Sequence, residues 1–365
     1  MKKFLLLLSG LLFVAAGAAA QPANDEVRNI IYMIGDGMGL SHVSMMKIEK
    51  GYAPTAFDRA QNVALIKTYS ANNRVTDSAA AGTALATGSK TNNGTLGLDA
   101  EGNRLESMIA RATRDGMATG LVVTCYLQHA TPAAFYAHVK NRGETEAITD
   151  DMLASNVDVM IGGGLKWLAA ECPEGGSYLD AFARRGYAVT RSLDEAAPVE
   201  RGRLLTVVDE EYAPHAPERG DYLPEASKKA MELLAANTEG SGKGFLLMIE
   251  GSQIDSAAHS NDTDWLEAEM NDFEKAVAAA MEFADAHPGT LVVVTADHET
   301  GGLSMPSGDK DFTRSESGIE YRYGTGSHTG IMVPVYLYGT GAERINGLMD
   351  NTELAQRMMA LLGLE

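Results

Sequence analysis

The sequence predicts an α/β fold, a three-layer sandwich whose mostly parallel central sheet is flanked by helices on both faces. Two observations lead there. Hydrophobic runs at 30–34, 245–249 and 290–296 each end in acidic residues: Asp36, Glu250 with Asp255, and Asp297-His298. Continuous Val/Ile/Leu runs mark parallel strands buried on both faces, and open α/β sheets bind ligands beyond the carboxyl ends of such strands. Strand patterns also alternate with helical ones along the chain, as expected of helix-covered parallel sheets.

Taken in order, the chain of 365 residues opens with Lys2-Lys3, an apolar stretch at 4–16 and the small residues 17–20. Such a stretch is too short to cross a bilayer and ends in a cleavage-like run, which predicts a signal peptide over 1–20 and export to the periplasm or outside the cell. No later segment is long and apolar enough to be a transmembrane span. Residues 21–365 then read as one catalytic-sized domain. Its strand candidates are 30–34, 62–68, 119–125, 157–161, 204–208, 245–249, 290–296 and 333–338. Each is a short run rich in Val, Ile and Leu.

Between them, residues 105–114, 144–154, 224–236 and 264–286 carry helical patterns, the last stopped by Pro288-Gly289. Residues 162–164 and 239–244 are glycine-rich loops. The polar stretch 302–327 predicts a surface excursion, a feature that often carries function. No internal repeat, dinucleotide-binding glycine fingerprint or phosphate-binding Walker loop occurs.

A net charge of -19 disfavours nucleic-acid and acidic-membrane partners, because such a surface repels polyanions. A small anionic substrate remains compatible where cations or an arginine invert the sign locally. Cys125 and Cys172 are the only cysteines. Two cysteines make no disulfide framework, and without a Cys-x-x-Cys pair a thiolate zinc site is not expected. Cys125, at the end of a strand candidate, reads as a small buried hydrophobe.

Asp255 and His259 stand four positions apart, one face of a helix if the segment is helical, and together could hold a cation. Any surface helix can also produce such a pair. Asp297-His298 is more specific: adjacent polar residues ending a buried run are costly unless paired or ligated. His328 is a candidate third ligand. Asp77 and Ser78 open a helix at 75–81, where backbone N–H groups favour an oxyanion, although Asp and Ser are equally the residues of an ordinary N-cap. Asp36 lies in a glycine-rich turn, and Arg142 is a planar donor suited to two phosphoryl oxygens.

Together these segments resemble alkaline phosphatase. The resemblance runs through Gly35-Asp36-Gly37-Met38-Gly39, Thr76-Asp77-Ser78-Ala79-Ala80, His129-Ala130-Thr131-Pro132-Ala133-Ala134, Glu250-Gly251 with Asp255 and His259, Thr295-Ala296-Asp297-His298-Glu299-Thr300, and His328-Thr329-Gly330, from about residue 28 onward. It implies an alkaline phosphatase-like sandwich that hydrolyses small phosphate monoesters to an alcohol and inorganic phosphate through a phosphoserine. Ser78 would be the nucleophile, Arg142 the phosphate-holding group and Asp77 its support.

The resemblance further implies two Zn2+ and one Mg2+. Asp255, His259 and His328 would hold one zinc, and Asp36, Asp297 and His298 the second. Asp36 would reach toward magnesium with Thr131 and Glu250. A homodimer is the family's assembly. Some members carry an aspartate in place of His129 and a lysine in place of Ser256, so the third ion's identity stays open, with His129 either supporting its ligands or joining them. The chain is short for the family, which points to a small or missing interface domain. The alternatives are a phosphodiesterase or nucleotide pyrophosphatase of the same superfamily, or a non-catalytic phosphate- or metal-binding envelope protein.

Overall fold

The computed structural model describes residues 26–310 and 318–364. The expected signal peptide lies outside the described residues, as does part of the 302–327 excursion. Ten strands form one sheet: β1 (Asn29–Gly35), β2 (Asn62–Lys67), β3 (Ala118–Tyr126), β4 (Val159–Gly163), β5 (Tyr187–Thr190), β6 (Arg203–Val207), β7 (Phe245–Gly251), β8 (Thr290–Thr295), β13 (Val333–Gly339) and β14 (Gly347–Asp350). Four two-residue strands, β9 (Glu299–Thr300), β10 (Leu303–Ser304), β11 (Arg322–Tyr323) and β12 (His328–Thr329), pair separately in the excursion and beside it.

The sheet order is β14-β2-β13-β8-β1-β7-β3-β4-β6-β5, and β13 alone runs against its neighbours. Strands β3, β4, β7 and β8 are almost wholly buried, which is why they read as continuous apolar runs. Register brings their ends together: Ile34 lies opposite both Glu250 and Thr295, and Val123 opposite Glu250. Asp36, Glu250, Asp297 and the end of β3 therefore emerge side by side.

The helices are α1 (Leu40–Glu49), α2 (Ser78–Thr87), α3 (Met108–Arg114), α4 (Ala130–Ala133), α5 (Thr145–Ala154), α6 (Leu165–Leu168), α7 (Tyr178–Arg184), α8 (Leu193–Ala196), α9 (Tyr222–Thr238), α10 (Gln253–His259), α11 (Thr263–Ala286) and α12 (Asn351–Leu362). One layer is α9 with α11, packed on β3, β7 and β8; the other gathers α2, α3 and α12 over β1, β2 and β3. Helix α3 starts three residues later than its pattern predicts, because the Ser107 hydroxyl accepts the Ala110 N–H and caps it there. Among the described residues no helix is long and apolar enough to cross a membrane.

A buried ion-pair cluster fastens α11 to the loop before α9. Arg219 donates to Glu269 and to Asp272, the latter at 2.7 Å, and all three side chains are at most 5% exposed. Cys125 and Cys172 are buried and unbridged.

Candidate active site

Helix α2 begins where its sequence dictates. Asp77 is the N-cap, its Oδ1 accepting the Ala80 N–H at 3.0 Å, and Oδ2 accepts the Gly94 N–H at 2.9 Å. The same Oδ2 stands 3.5 Å from an Arg142 nitrogen. Capping and support of the arginine thus coexist in one carboxylate. Ser78, first in the helix and 2% exposed, has its hydroxyl 3.3 Å from His298 Nε2.

Three groups of potential ligands surround this point. In the first, His259 Nε2 lies 3.2 Å from Asp255 and 3.1 Å from His328 Nε2, which is 3.6 Å from the same carboxylate. Helix α10 supplies Asp255 and His259 on one face, as their spacing predicts. Each ring turns its Nδ1–H to a backbone carbonyl, Gly326 for His259 and Thr76 for His328, both at 2.9 Å. Both Nε2 atoms are thereby aimed at Asp255. The hydrogen bond that His259 donates to Asp255 lifts the imidazole to about 9.

The second group is Asp36, Asp297 and His298, all fully buried. His298 Nε2 is 3.1 Å from Asp297 and 3.5 Å from Asp36. Asp297 Oδ1 accepts the Gly37 N–H at 3.0 Å, while Asp36 Oδ1 and Asp297 Oδ2 have no partner besides His298 Nε2. Burial, then the neighbouring Asp297, Asp255 and Glu250, pushes Asp36 well above the usual carboxylate range. The His298 and His328 rings stack at 3.6 Å and join the two groups. Thr300, to which the resemblance assigns no role, hydrogen-bonds both Asp255 and His298 Nδ1.

In the third region Thr131 Oγ1 is 3.5 Å from Asp36 Oδ2, and Glu250, raised to about 8 by burial and by Asp297, keeps an unpartnered Oε1. His129 caps α4, and its Nε2 accepts from Arg142 at 3.2 Å. Cys125 is buried in the core, as its place at a strand end predicts, and its Sγ also lies 3.5 Å from Glu250 Oε2, in one group with His129 and Glu250. The β3–β7 register causes this, and a residue-by-residue reading does not carry it.

Orphaned carboxylate oxygens, paired imidazoles and burial fit divalent cations: buried like charges are otherwise costly, and His nitrogen with Asp oxygen is a zinc donor set. Every site residue drawn from the sequence falls within these groups or next to Ser78. His42, His138, His215 and His287 stand outside the three groups.

The alkaline phosphatase family model matches residues 27–320. Alkaline phosphatase 4 of Bacillus subtilis is 32% identical, over 94% of this chain and 91% of its own. Streptomycin-6-phosphate phosphatase of Streptomyces griseus is 32% identical over 98% and 96%. The solved alkaline phosphatase of the Antarctic bacterium TAB5 superposes with a TM-score of 0.85 at 32% identity, covering 93% of this chain and 99% of that one. A His-to-Asp variant of the TAB5 enzyme has Mg bound in its M3 site. The chain belongs to the alkaline phosphatase family.

Proposed function

We propose that this chain is an exported, metal-dependent phosphomonoesterase that cleaves small phosphate monoesters through a phosphoserine at Ser78. The observation that carries the reading is the Ser78 hydroxyl at the start of α2, 3.3 Å from His298 Nε2, which also faces the buried carboxylates of Asp36 and Asp297. Asp255, His259 and His328 would hold one zinc, and Asp36, Asp297 and His298 a second. A third cation would sit with Asp36, Thr131 and Glu250, where the family resemblance implies magnesium. When bound, these cations supply positive charge that favours the serine alkoxide and neutralises the phosphoryl oxygens.

Ser78 attacks phosphorus in line, forming the Oγ–P bond as the ester P–O bond breaks and the alcohol leaves with a proton. Water then attacks phosphoserine from the opposite side, releasing inorganic phosphate and restoring the hydroxyl. Arg142 turns from His129 to hold two equatorial oxygens, with Asp77 limiting how far the guanidinium swings. The N-terminal N–H groups of α2 add partial positive charge at the same point. Export rests on the signal-like segment at 1–20, and a homodimer on the resemblance.

The test compares an aryl monoester with an aryl diester, using metal-loaded protein and Ser78→Ala. Strong monoester preference is expected, with a loss of roughly 10⁴-fold in the variant. Diester turnover equal to or above monoester turnover would overturn the reading; unchanged turnover in Ser78→Ala would overturn the role of Ser78.

A further inference from the structure

Cys125 closes β3 at the sheet edge where Glu250 ends β7. Cys125, His129 and Glu250 each offer one donor atom, all within 4.8 Å of one another, and Cys125 Sγ is 3.5 Å from Glu250 Oε2. On the other side, the Thr131 hydroxyl donates to Asp36 Oδ2 at 3.5 Å. Glu250 Oε1 and His129 Nδ1 are buried without a hydrogen-bond partner. Unpartnered buried polar atoms on two side chains of one such group call for a shared ligand.

The chemistry of that ligand follows from the donors. A guanidinium can only donate, so its bond fixes His129 Nε2 as acceptor and puts the ring proton on Nδ1. While Arg142 holds Nε2, His129 can donate through Nδ1 to an anionic ligand and does not itself ligate. The remaining donors are oxygens of Asp36, Thr131 and Glu250 and the sulfur of Cys125. Magnesium requires near-octahedral oxygen coordination and retains its waters, so a thiol gives it nothing. Zinc accepts sulfur with oxygen and favours four ligands.

We propose that Cys125 is a direct ligand of the third cation and that its sulfur makes this a zinc site in preference to a magnesium site. The proposal rests on the metal-dependent reading of the site given above. As the metal–sulfur bond forms, the thiol proton leaves to solvent, and His129 Nδ1–H donates to the thiolate.

Cobalt(II) tests it, because thiolate ligation gives a near-ultraviolet sulfur-to-cobalt charge-transfer band that oxygen and imidazole ligands do not. The chelated full-length protein is titrated with Co2+ to three equivalents, alongside Cys125→Ser and Cys172→Ser. The band is expected in wild type and Cys172→Ser and absent in Cys125→Ser. Zinc should erase it at stoichiometric concentration, whereas millimolar magnesium leaves it. Zinc should bind the third site of Cys125→Ser at least about tenfold more weakly.

A wild type without the band overturns the proposal, as does a band that survives in Cys125→Ser or is displaced equally by magnesium. Should Cys125→Ser not fold, the wild-type and Cys172→Ser spectra with the zinc and magnesium competition decide alone. Monoester hydrolysis is followed in parallel. Hydrolysis without the band sinks the Cys125 ligation and leaves the phosphatase reading standing, whereas no cation uptake at all sinks both.

Discussion

Arg142 donates through Nη2 to His129 Nε2 across 3.2 Å. Its other terminal nitrogen stands 3.5 Å from Asp77, so the guanidinium is held between a carboxylate and an imidazole. Burial and the facing guanidinium lower His129 to about 3, which keeps the ring neutral and the contact a hydrogen bond.

Loss of that side chain should be felt as loss of grip on phosphate. In Arg142→Ala the inhibition constant for inorganic phosphate is expected to rise about 10–100-fold, from charge-assisted hydrogen bonds worth about 1.5–3 kcal/mol. Arg142→Lys should recover only part, because an ammonium cannot span two oxygens. Product-inhibition kinetics measure both; an unchanged constant in the alanine variant would remove Arg142 from the phosphate site.

Stability of the chelated protein should fall as pH rises. Glu250 goes from an ordinary 4.5 to about 8 in the folded chain, so the fold binds a proton that the unfolded chain has already lost. His259 goes from 6.5 to about 9, and its contribution is full below 6.5 and lost as pH passes 9. Both make the folded state the greater proton binder, and above 6.5 the lowered His129 no longer opposes them, so unfolding becomes easier between about pH 6.5 and 9. Thermal melts across that window should decline for chelated protein and stay flatter for loaded protein, whose cations replace those protons. A rising melting temperature in the chelated form would contradict the sign.

Gly37 sits at φ +74°, and a Cβ there would come within 2.9 Å of Asp255 Oδ1 and 2.8 Å of Thr300 Oγ1. Gly37→Ala should therefore displace Asp255 and weaken cation binding at its group by about 10–100-fold, the scale of losses when a ligand's support is disturbed. Chelator competition for zinc reads this directly; wild-type affinity in the variant would show that the carboxylate has room to move.

Arg219→Met leaves Glu269 and Asp272 buried without a counter-charge. A loss of about 3–5 kcal/mol is expected from breaking such a cluster on one side, visible as a lower urea midpoint. Turnover per folded molecule should not change, because the cluster supports α11 and takes no part at Ser78. A midpoint equal to wild type would mean that the two acids are relieved by protonation.

Much of this was legible in the sequence, and the residues show why. Strands β1, β7 and β8 announce themselves because central parallel strands are apolar on both faces. Strand β14 did not, since half of its four residues are exposed at the sheet edge. Helix α1 was also silent: Gly39 precedes it without a side-chain cap. Asp297-His298 was readable from the cost of placing charge at the end of a buried run. The grouping of Ser78, Arg142 and His129 came from resemblance, since no local pattern states that residues so far apart meet. The neighbour of Cys125 is not legible for the same reason: Glu250 is set beside it by strand register, 125 positions away.

The alignment of Ile34 with both Glu250 and Thr295 has a consequence for how this protein matures. Asp36, Glu250 and Asp297 come from three strands that touch only after the first and last thirds of the chain have met. No cation group containing Asp36 can be complete in a fragment that lacks the C-terminal strands. Uptake of metal at Asp36 then marks a finished sheet, so a proteolytic nick or truncation would be registered as an inability to load, well before any substrate is offered.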